Sequence, residues 1–376
     1  MQTKTELHTH LMGMLSASRL IEFLDKYHYS FPINEKGKIE FVTQPEPKRI
    51  KRIPAKNLIG NKGIIEQLSI SHGSKVDYNA LNDFYLVRNS LIADLVKMYQ
   101  IKFPDKDENV VKYVLYSLYI EECLRELIDQ EVKYVEISYS NAPIIENAIK
   151  YVNPKVLSQI KCKFLLSTGR DKSAKDFRQV AKKSINLLNN QIGVGIDIMG
   201  SETPLSDLDL DPNDNMGLKR KLIEAINILH PYKDTTLRIH SGETRYSSEN
   251  TEKILSILED VEKDLKIIIP PPEIRIGHGV YFRKSNEYLR LLKKFNCVIE
   301  INASSNYALD NIDEYSDIPY NYYLDNDIDV VICSDGHGLY DTTKDIEDDI
   351  AQDNIREENK KKVIDFDKII RKKAGV

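Results

Sequence analysis

The segment Glu6-Leu7-His8-Thr9-His10 places two imidazoles two residues apart. In a strand, residues i and i+2 share a face, so both rings can grip one metal ion. His240, His278 and Asp335 stand at the ends of three later apolar runs. Three imidazoles and one carboxylate suit a zinc ion with a position left for water, and iron, cobalt or manganese could take the same donors. A lone His-x-His pair, or His240 or His278 alone, is more often structural. The weight lies in the joint pattern, whose members fall at the same end of different strands. Glu243 follows in His240-Ser241-Gly242-Glu243. It reads as a proton shuttle beside the metal, or as a carboxylate favoured at a helix N-terminus by the helix dipole.

The positioning elements are short apolar runs separated by amphipathic stretches. Eight strands are expected, at Thr5–His10, Lys133–Tyr139, Cys162–Ser167, Gly193–Met199, Thr236–Ser241, Glu273–His278, Cys297–Asn302 and Ile328–Ser334. Their near-continuous apolarity is what strands buried on both faces show. Helical patterns lie between them: Ser16 as cap of a helix through Asp25, then Leu81–Ile101, Val110–Asp129, Ser173–Asn190, Asn215–Leu229, Asn250–Leu265, Lys284–Phe295 and a broken stretch over Lys344–Lys373. Strand–helix alternation with eight strands predicts an α/β fold, a (β/α)8 TIM-type barrel. The 376 residues suffice for one such domain, 1–376, with an insertion at about 29–79. That insertion is polar, lacks periodicity and carries Lys48, Arg49, Lys51 and Arg52 close together. It reads as a solvated basic loop, as a phosphate clamp over the barrel mouth, or as a contact in a homo-oligomer.

The formal net charge of −5 argues against coating a nucleic-acid duplex. No apolar run has membrane-spanning length, and no signal peptide is read at the N-terminus. The four cysteines form no close pair. They read as reduced thiols, which fits a cytoplasmic protein and excludes a zinc site built on a Cys-x-x-Cys pair.

The segments ELHTHLMG, YVEISYS, GVGIDIMGSE, LRIHSGET, RIGHGV, VIEINASSN and CSDG occur in this order from Thr5 to about Asp341. Together they resemble the adenosine/AMP deaminase family of the amidohydrolase superfamily. The resemblance implies zinc-dependent hydrolytic deamination of an adenine nucleoside, with one Zn2+ per chain. His8, His10, His240 and Asp335 would bind the ion. Glu243 would face purine N1, His278 would orient the attacking hydroxide, and His278 and Asp335 would pass its protons. The backbone N–H of Gly200 would meet purine N3. The fourth strand ends at Met199-Gly200 with no lysine to carbamylate, which favours the mononuclear branch. Glu300, Ser304, Ser305 and Asn306 would supply hydrogen bonds around the ligands, and Glu202 would help position the loop near Gly200.

Two positions depart from the family pattern. Met12 stands where the family commonly has an aspartate for the ribose 5′-hydroxyl, and thioether sulfur is a weak acceptor. Gly336 stands where a second aspartate would aim at purine N7, which leaves His337 to reach round or N7 to be read otherwise. His10, Met12, Gly200, Gly336 and His337 are therefore candidate substrate contacts. Met12 together with Lys48, Arg49, Lys51 and Arg52 suggests the alternative of a 5′-phosphorylated adenine nucleotide. Two further alternatives are an amidohydrolase acting on another aminated substrate and a purine-binding or assembly protein that has lost catalysis.

Overall fold

The computed structural model describes residues 2–41, 50–200, 202, 217–245 and 247–376, with backbone only at 79. Ten strands are described. β1 (Thr5–His10) is followed by a small antiparallel pair, β2 (Ser30–Ile33) and β3 (Lys51–Pro54). Then come β4 (Tyr134–Tyr139), β5 (Lys161–Gly169), β6 (Gly193–Met199), β7 (Thr236–Ser241), β8 (Glu273–His278), β9 (Val298–Asn302) and β10 (Asp329–Cys333). The large sheet runs β1-β4-β5-β6-β7-β8-β9-β10 with every pair parallel. A parallel bridge from Thr9 to Asp335 brings the last strand's exit back to the first, and the Asp335 N–H donates to the His8 carbonyl at 2.8 Å. The eight expected strands are thus the staves of a nearly closed TIM-type barrel.

The strand interiors differ from the expectation of continuous apolarity. Val135, Ile137, Ile196, Ile198, Leu237, Ile239, Ile274, Ile276, Ile299 and Ile301 are buried, and between them stand Glu136, Asp197, Arg238, Arg275 and Glu300, buried as well. Successive strand residues face opposite sides. The aliphatic set packs against helices, and the charged set forms a ladder inside the barrel. Arg238 Nε lies 3.4 Å from Asp197 and 3.5 Å from Glu300, while Arg275 Nη1 lies 2.7 Å from Glu136 and 3.3 Å from Glu300. Most barrels of this class fill that space with branched aliphatics.

Ser16 caps the helix Ala17–Lys26 as expected, its side chain accepting from the Arg19 N–H. The helices Tyr78–Lys102 and Glu108–Asp129 follow, capped by Asp77 and Asp107. The Ser173–Asn190 pattern becomes two helices, Ala174–Lys182 and Ser184–Asn189, and the C-terminal stretch divides into Lys344–Asn354 and Glu357–Ala374. The helix expected at Asn215–Leu229 is described from Gly217; its first two residues lie outside the described residues, as do Lys48 and Arg49. The segment expected to lack regular structure instead holds the β2–β3 pair and two short helices, Ala55–Asn57 and Lys62–Ile65. Phe31, Ile33, Ile39, Leu58, Ile64 and Leu68 bury themselves there in one apolar cluster with Leu20, Leu24, Leu91 and Tyr119. The matching pairs are too few to show a period: Phe31 and Ile33 are two apart and Ile64 and Leu68 four apart, with prolines and lysines separating the two pairs, which is why the burial was not legible. Among the described residues no helix is long and apolar enough to cross a membrane.

One buried cation ties the barrel mouth together. Arg88, fully buried, donates to the carbonyls of Leu68 (2.6 Å), Leu15 (2.8 Å), Met12 (3.0 Å) and Gly338 (3.0 Å). It joins the loop after β1, the loop after β10 and the helix Tyr78–Lys102. Arg88→Leu strands four buried acceptors, and the expected loss is about 3–5 kcal/mol of unfolding free energy. A urea titration checks this; a shift below about 1 kcal/mol would mean that water satisfies the carbonyls.

Candidate active site

The C-terminal ends of the strands open on one mouth, and the histidines gather there. His8 and His10 leave β1, His240 is the penultimate residue of β7, and Asp335 follows β10. Asp335 Oδ1 lies 3.4 Å from His8 Nε2 and 3.2 Å from His10 Nε2. The His8 and His240 ring centroids are 4.6 Å apart, and those of His10 and His240 are 5.4 Å apart. Three groups have donor atoms within 4.8 Å of one another: His8, His10 and Asp335; His10, Asp197 and His240; His8, His240 and His278. The Nε2 atoms of His8, His240 and His278 and Asp197 Oδ1 are buried without a hydrogen-bond partner. Leaving several such atoms unsatisfied in one place is costly. A divalent cation among them removes that cost, so the residues fit a metal ion.

The electrostatics agree. Burial pushes His240 down to about 3, against the pull of Asp197, so its ring is the neutral donor that a metal needs. Burial opposes ionisation of Asp335, yet His10, His8 and His278 outweigh it and hold the carboxyl well below the usual range. The surrounding groups fix the rings. Glu300 Oε2 lies 3.0 Å from His8 Nδ1, Ser305 Oγ donates to Asp335 Oδ2 at 2.7 Å, and Tyr340 OH does so at 3.1 Å. Asn306 Oδ1 meets His278 Nδ1 at 2.8 Å. Ser304 bonds Thr342 instead, away from the ligands, and Glu136 belongs to the interior ladder. Gly277 makes room for His8: a Cβ there would come within 2.7 Å of His8 Cε1.

Glu243 and His278 face each other, with Oε1 and Nε2 3.9 Å apart. His278 reaches the mouth because its φ of 73° turns it away from the outward parity of Ile274 and Ile276. Glu243 is held through its backbone. Glu202 accepts the N–H groups of Gly242 and Glu243, both at 2.7 Å, and the Ser247 hydroxyl at 2.8 Å. Burial raises the Glu243 carboxyl, His278 opposes, and Asp335 and Glu202 reinforce the rise. A carboxyl so raised can carry a proton nearer neutrality than an exposed one.

The cavity above the cluster holds about 280 Å³ and is lined by His10, Met12, Gly200, His240, Glu243, His278 and Asp335. It is also lined by Tyr78, Leu81, Asn82, Tyr85 and Asn89 from one face of the helix Tyr78–Lys102. A larger cavity of about 660 Å³ opens among Tyr134, Lys161, Lys163 and Glu273 and contains no histidine. Of the expected substrate contacts, Gly336, His337, Lys51 and Arg52 do not line the smaller cavity. His337 is turned into the protein, its ring nitrogens unpartnered and its pKa pushed down to about 3 by burial and by the neighbouring Arg88 and Arg19. It does not reach round to replace the missing side chain at Gly336. Arg52 donates to Asp94 at 2.6 Å and to the Ser30 carbonyl at 3.0 Å, which occupies it at the β2–β3 pair.

Sequence reasoning missed Asp197, Arg238, Asn302, Tyr340 and the helix face. A signal existed in both places. Isolated charges alternate with aliphatics in Ile196-Asp197-Ile198, Leu237-Arg238-Ile239 and Ile274-Arg275-Ile276, and the spacing of Tyr78, Leu81, Asn82, Tyr85 and Asn89 is one stripe of a helix.

The family model for adenosine deaminase matches residues 108–361. The adenosine deaminase of Clostridium botulinum (strain 657 / Type Ba4) is 23% identical over 342 residues, covering 90% of this chain and 84% of that protein. Among solved structures, Arabidopsis ADAL complexed with IMP superposes with a TM-score of 0.59 at 18% identity, over 94% of this chain and 86% of that one. A cog1816 amidohydrolase from Burkhoderia ambifaria, with bound Zn, gives 0.55 at 12% identity, over 93% and 79%.

Proposed function

The chain belongs to the adenosine deaminase family and is a metal-dependent hydrolase, and from that premise we propose that it deaminates an adenine nucleoside with a neutral 5′ end, using one zinc ion held by His8, His10, His240 and Asp335. The observation that carries the reading is the gathering of unpartnered imidazoles beside Glu243 in one cavity whose described lining contains no lysine or arginine. Zinc accords with the nitrogen and oxygen donors and with the ion in the Burkhoderia amidohydrolase. The barrel acts as one catalytic domain over 1–376.

A bound divalent cation supplies an acidified water at neutral pH. The side chains do the rest. The base enters with C6 over the ligand cluster and the ring between Met12 and Gly200. Glu243 gives its proton to N1, so that the ring accepts an electron pair as the water oxygen bonds to C6. His278 would take the proton released by that water, with Asp335 accepting the water's hydrogen bond, and would return it to the departing amine. The C6–N bond breaks, ammonia leaves, the proton still on the C6 oxygen passes to Glu243 in place of the one it gave, and a 6-oxopurine remains. Met12, 4% exposed, offers an apolar surface where a 5′ substituent would pack.

A second reading is a 5′-phosphorylated substrate. The IMP bound to Arabidopsis ADAL favours it, and Lys48, Arg49 and Lys51 remain candidates to meet a phosphate. Parallel assays of ammonia release from adenosine, 5′-methylthioadenosine, AMP and ATP separate the two. The nucleosides are expected to exceed AMP at least tenfold in kcat/KM. A reversed ratio would transfer the assignment to nucleotides. No ammonia from any of them would remove adenine deamination and leave another aminated substrate or a binding role.

A further inference from the structure

The barrel order puts β1 and β7 on opposite sides of the mouth, with β4, β5 and β6 between them one way and β8, β9 and β10 the other. Glu243 stands beyond β7, and across the mouth from it lies the seam of β1 and β10, where His10 and Asp335 line the cavity and Gly13 packs on Gly336. Where Gly13 meets Gly336 the seam carries no side chain. Gly336 has a φ of 145°, and a Cβ placed on it would meet Gly13 Cα at 3.2 Å, so the two backbones touch. A polar group reaches this spot from the helix Tyr78–Lys102. A Cβ built on Gly13 would lie 3.1 Å from the Tyr85 hydroxyl and 3.2 Å from Gly336 Cα. The Tyr85 ring stands edge-on to His10, centroids 6.4 Å apart, and lines the cavity.

Three further facts bear on this hydroxyl. The structure gives it no hydrogen-bond partner among the described residues, although neighbouring Tyr340 spends its own on Asp335. The helix that carries it is pinned by Arg88, one turn further on, to the loops after β1 and β10. A phenol keeps its proton at neutral pH, so it is an O–H donor. A planar base with N1 at Glu243 turns its five-membered ring toward the opposite wall. The ring nitrogen there, N7, only accepts. We propose that Tyr85 is a specificity-determining residue that donates its O–H to purine N7, a role taken by a helix outside the barrel strands because Gly336 has no side chain to offer. The assignment rests on the purine reading given above.

The test compares adenosine with 7-deazaadenosine, which carries C–H in place of N7, on zinc-loaded wild-type protein and Y85F. A buried neutral hydrogen bond predicts a wild-type preference for adenosine of roughly tenfold in kcat/KM. Y85F keeps the ring against His10 and loses only the hydroxyl. The preference should fall to about one, with the loss on the adenosine arm. An unchanged ratio in Y85F, whether both substrates fall together or neither does, would overturn the assignment and leave Tyr85 a packing residue. Calorimetric binding of inosine and 7-deazainosine to the same two proteins reads the same ratio without turnover. Wild-type protein that binds with the preference but releases no ammonia would support Tyr85 and sink the deaminase reading alone. Protein that binds neither ligand would overturn both.

Discussion

Glu243→Gln is expected to lower kcat for deamination by about a thousandfold, within the range that a positioned proton donor contributes, while one equivalent of metal stays bound. The amide matches the carboxyl in shape but has no proton to transfer to a ring nitrogen. The loop should survive the change, because Glu202 grips it through the N–H groups of Gly242 and Glu243 and not through the Glu243 side chain. The loss should therefore appear in single-turnover ammonia release, with metal content and thermal midpoint close to wild type. A loss below tenfold would point to another proton source, and His278, whose Nε2 lies 3.9 Å from Glu243 Oε1 in the wild-type chain, would be the first to try.

What the residues disclosed by themselves divides along the distance over which the cause acts. The eight barrel strands were legible because each owes its burial to a local run such as Val135–Ile137 or Ile299–Ile301, whose aliphatics need only a helix on the outside. The ligands were legible because His8, His10, His240 and Asp335 sit at strand exits, and the barrel topology alone brings those exits together. Arg88, Tyr85 and Asn89 were not legible. Nothing near them in sequence says that their helix lies over the mouth; that follows from four carbonyls supplied by three distant loops. The charged ladder of Asp197, Arg238 and Glu300 was hidden for a related reason. A charge in an apolar run is a warning when its partner is unknown and a support when the partner stands on the neighbouring or facing strand. Gly336 shows the same limit from the other side. Its lack of a side chain was visible at once, but the close passage of Gly13 behind it appears only in the folded chain.

The ladder bears directly on which carboxylate holds the metal, since both Asp335 and Asp197 lie in candidate donor groups. Asp335→Ala is expected to reduce bound metal below about a tenth of an equivalent and to cut deamination by about ten-thousandfold or more, because the nucleophile depends on the ion. Among the described residues, Asp335 Oδ1 is the one carboxylate oxygen close to both His8 and His10. Asp197 is partly balanced: Ser138 donates to its Oδ2 at 2.6 Å and Arg238 lies 3.4 Å away, and Arg238 with His240 outweighs burial and keeps it ionised. Asp197→Asn should therefore keep most of the metal while loosening the His240 ring. Elemental analysis of the two variants after dialysis decides between the carboxylates, and the opposite pattern would move the ligand role to Asp197. Chelation gives an independent reading. With free metal at about a thousand times its dissociation constant, binding stabilises the folded state by about 4 kcal/mol. Wild-type protein should thus melt several degrees lower in chelator, whereas Asp335→Ala should melt at one temperature with or without it, since an ion that is not held has no stability to withdraw.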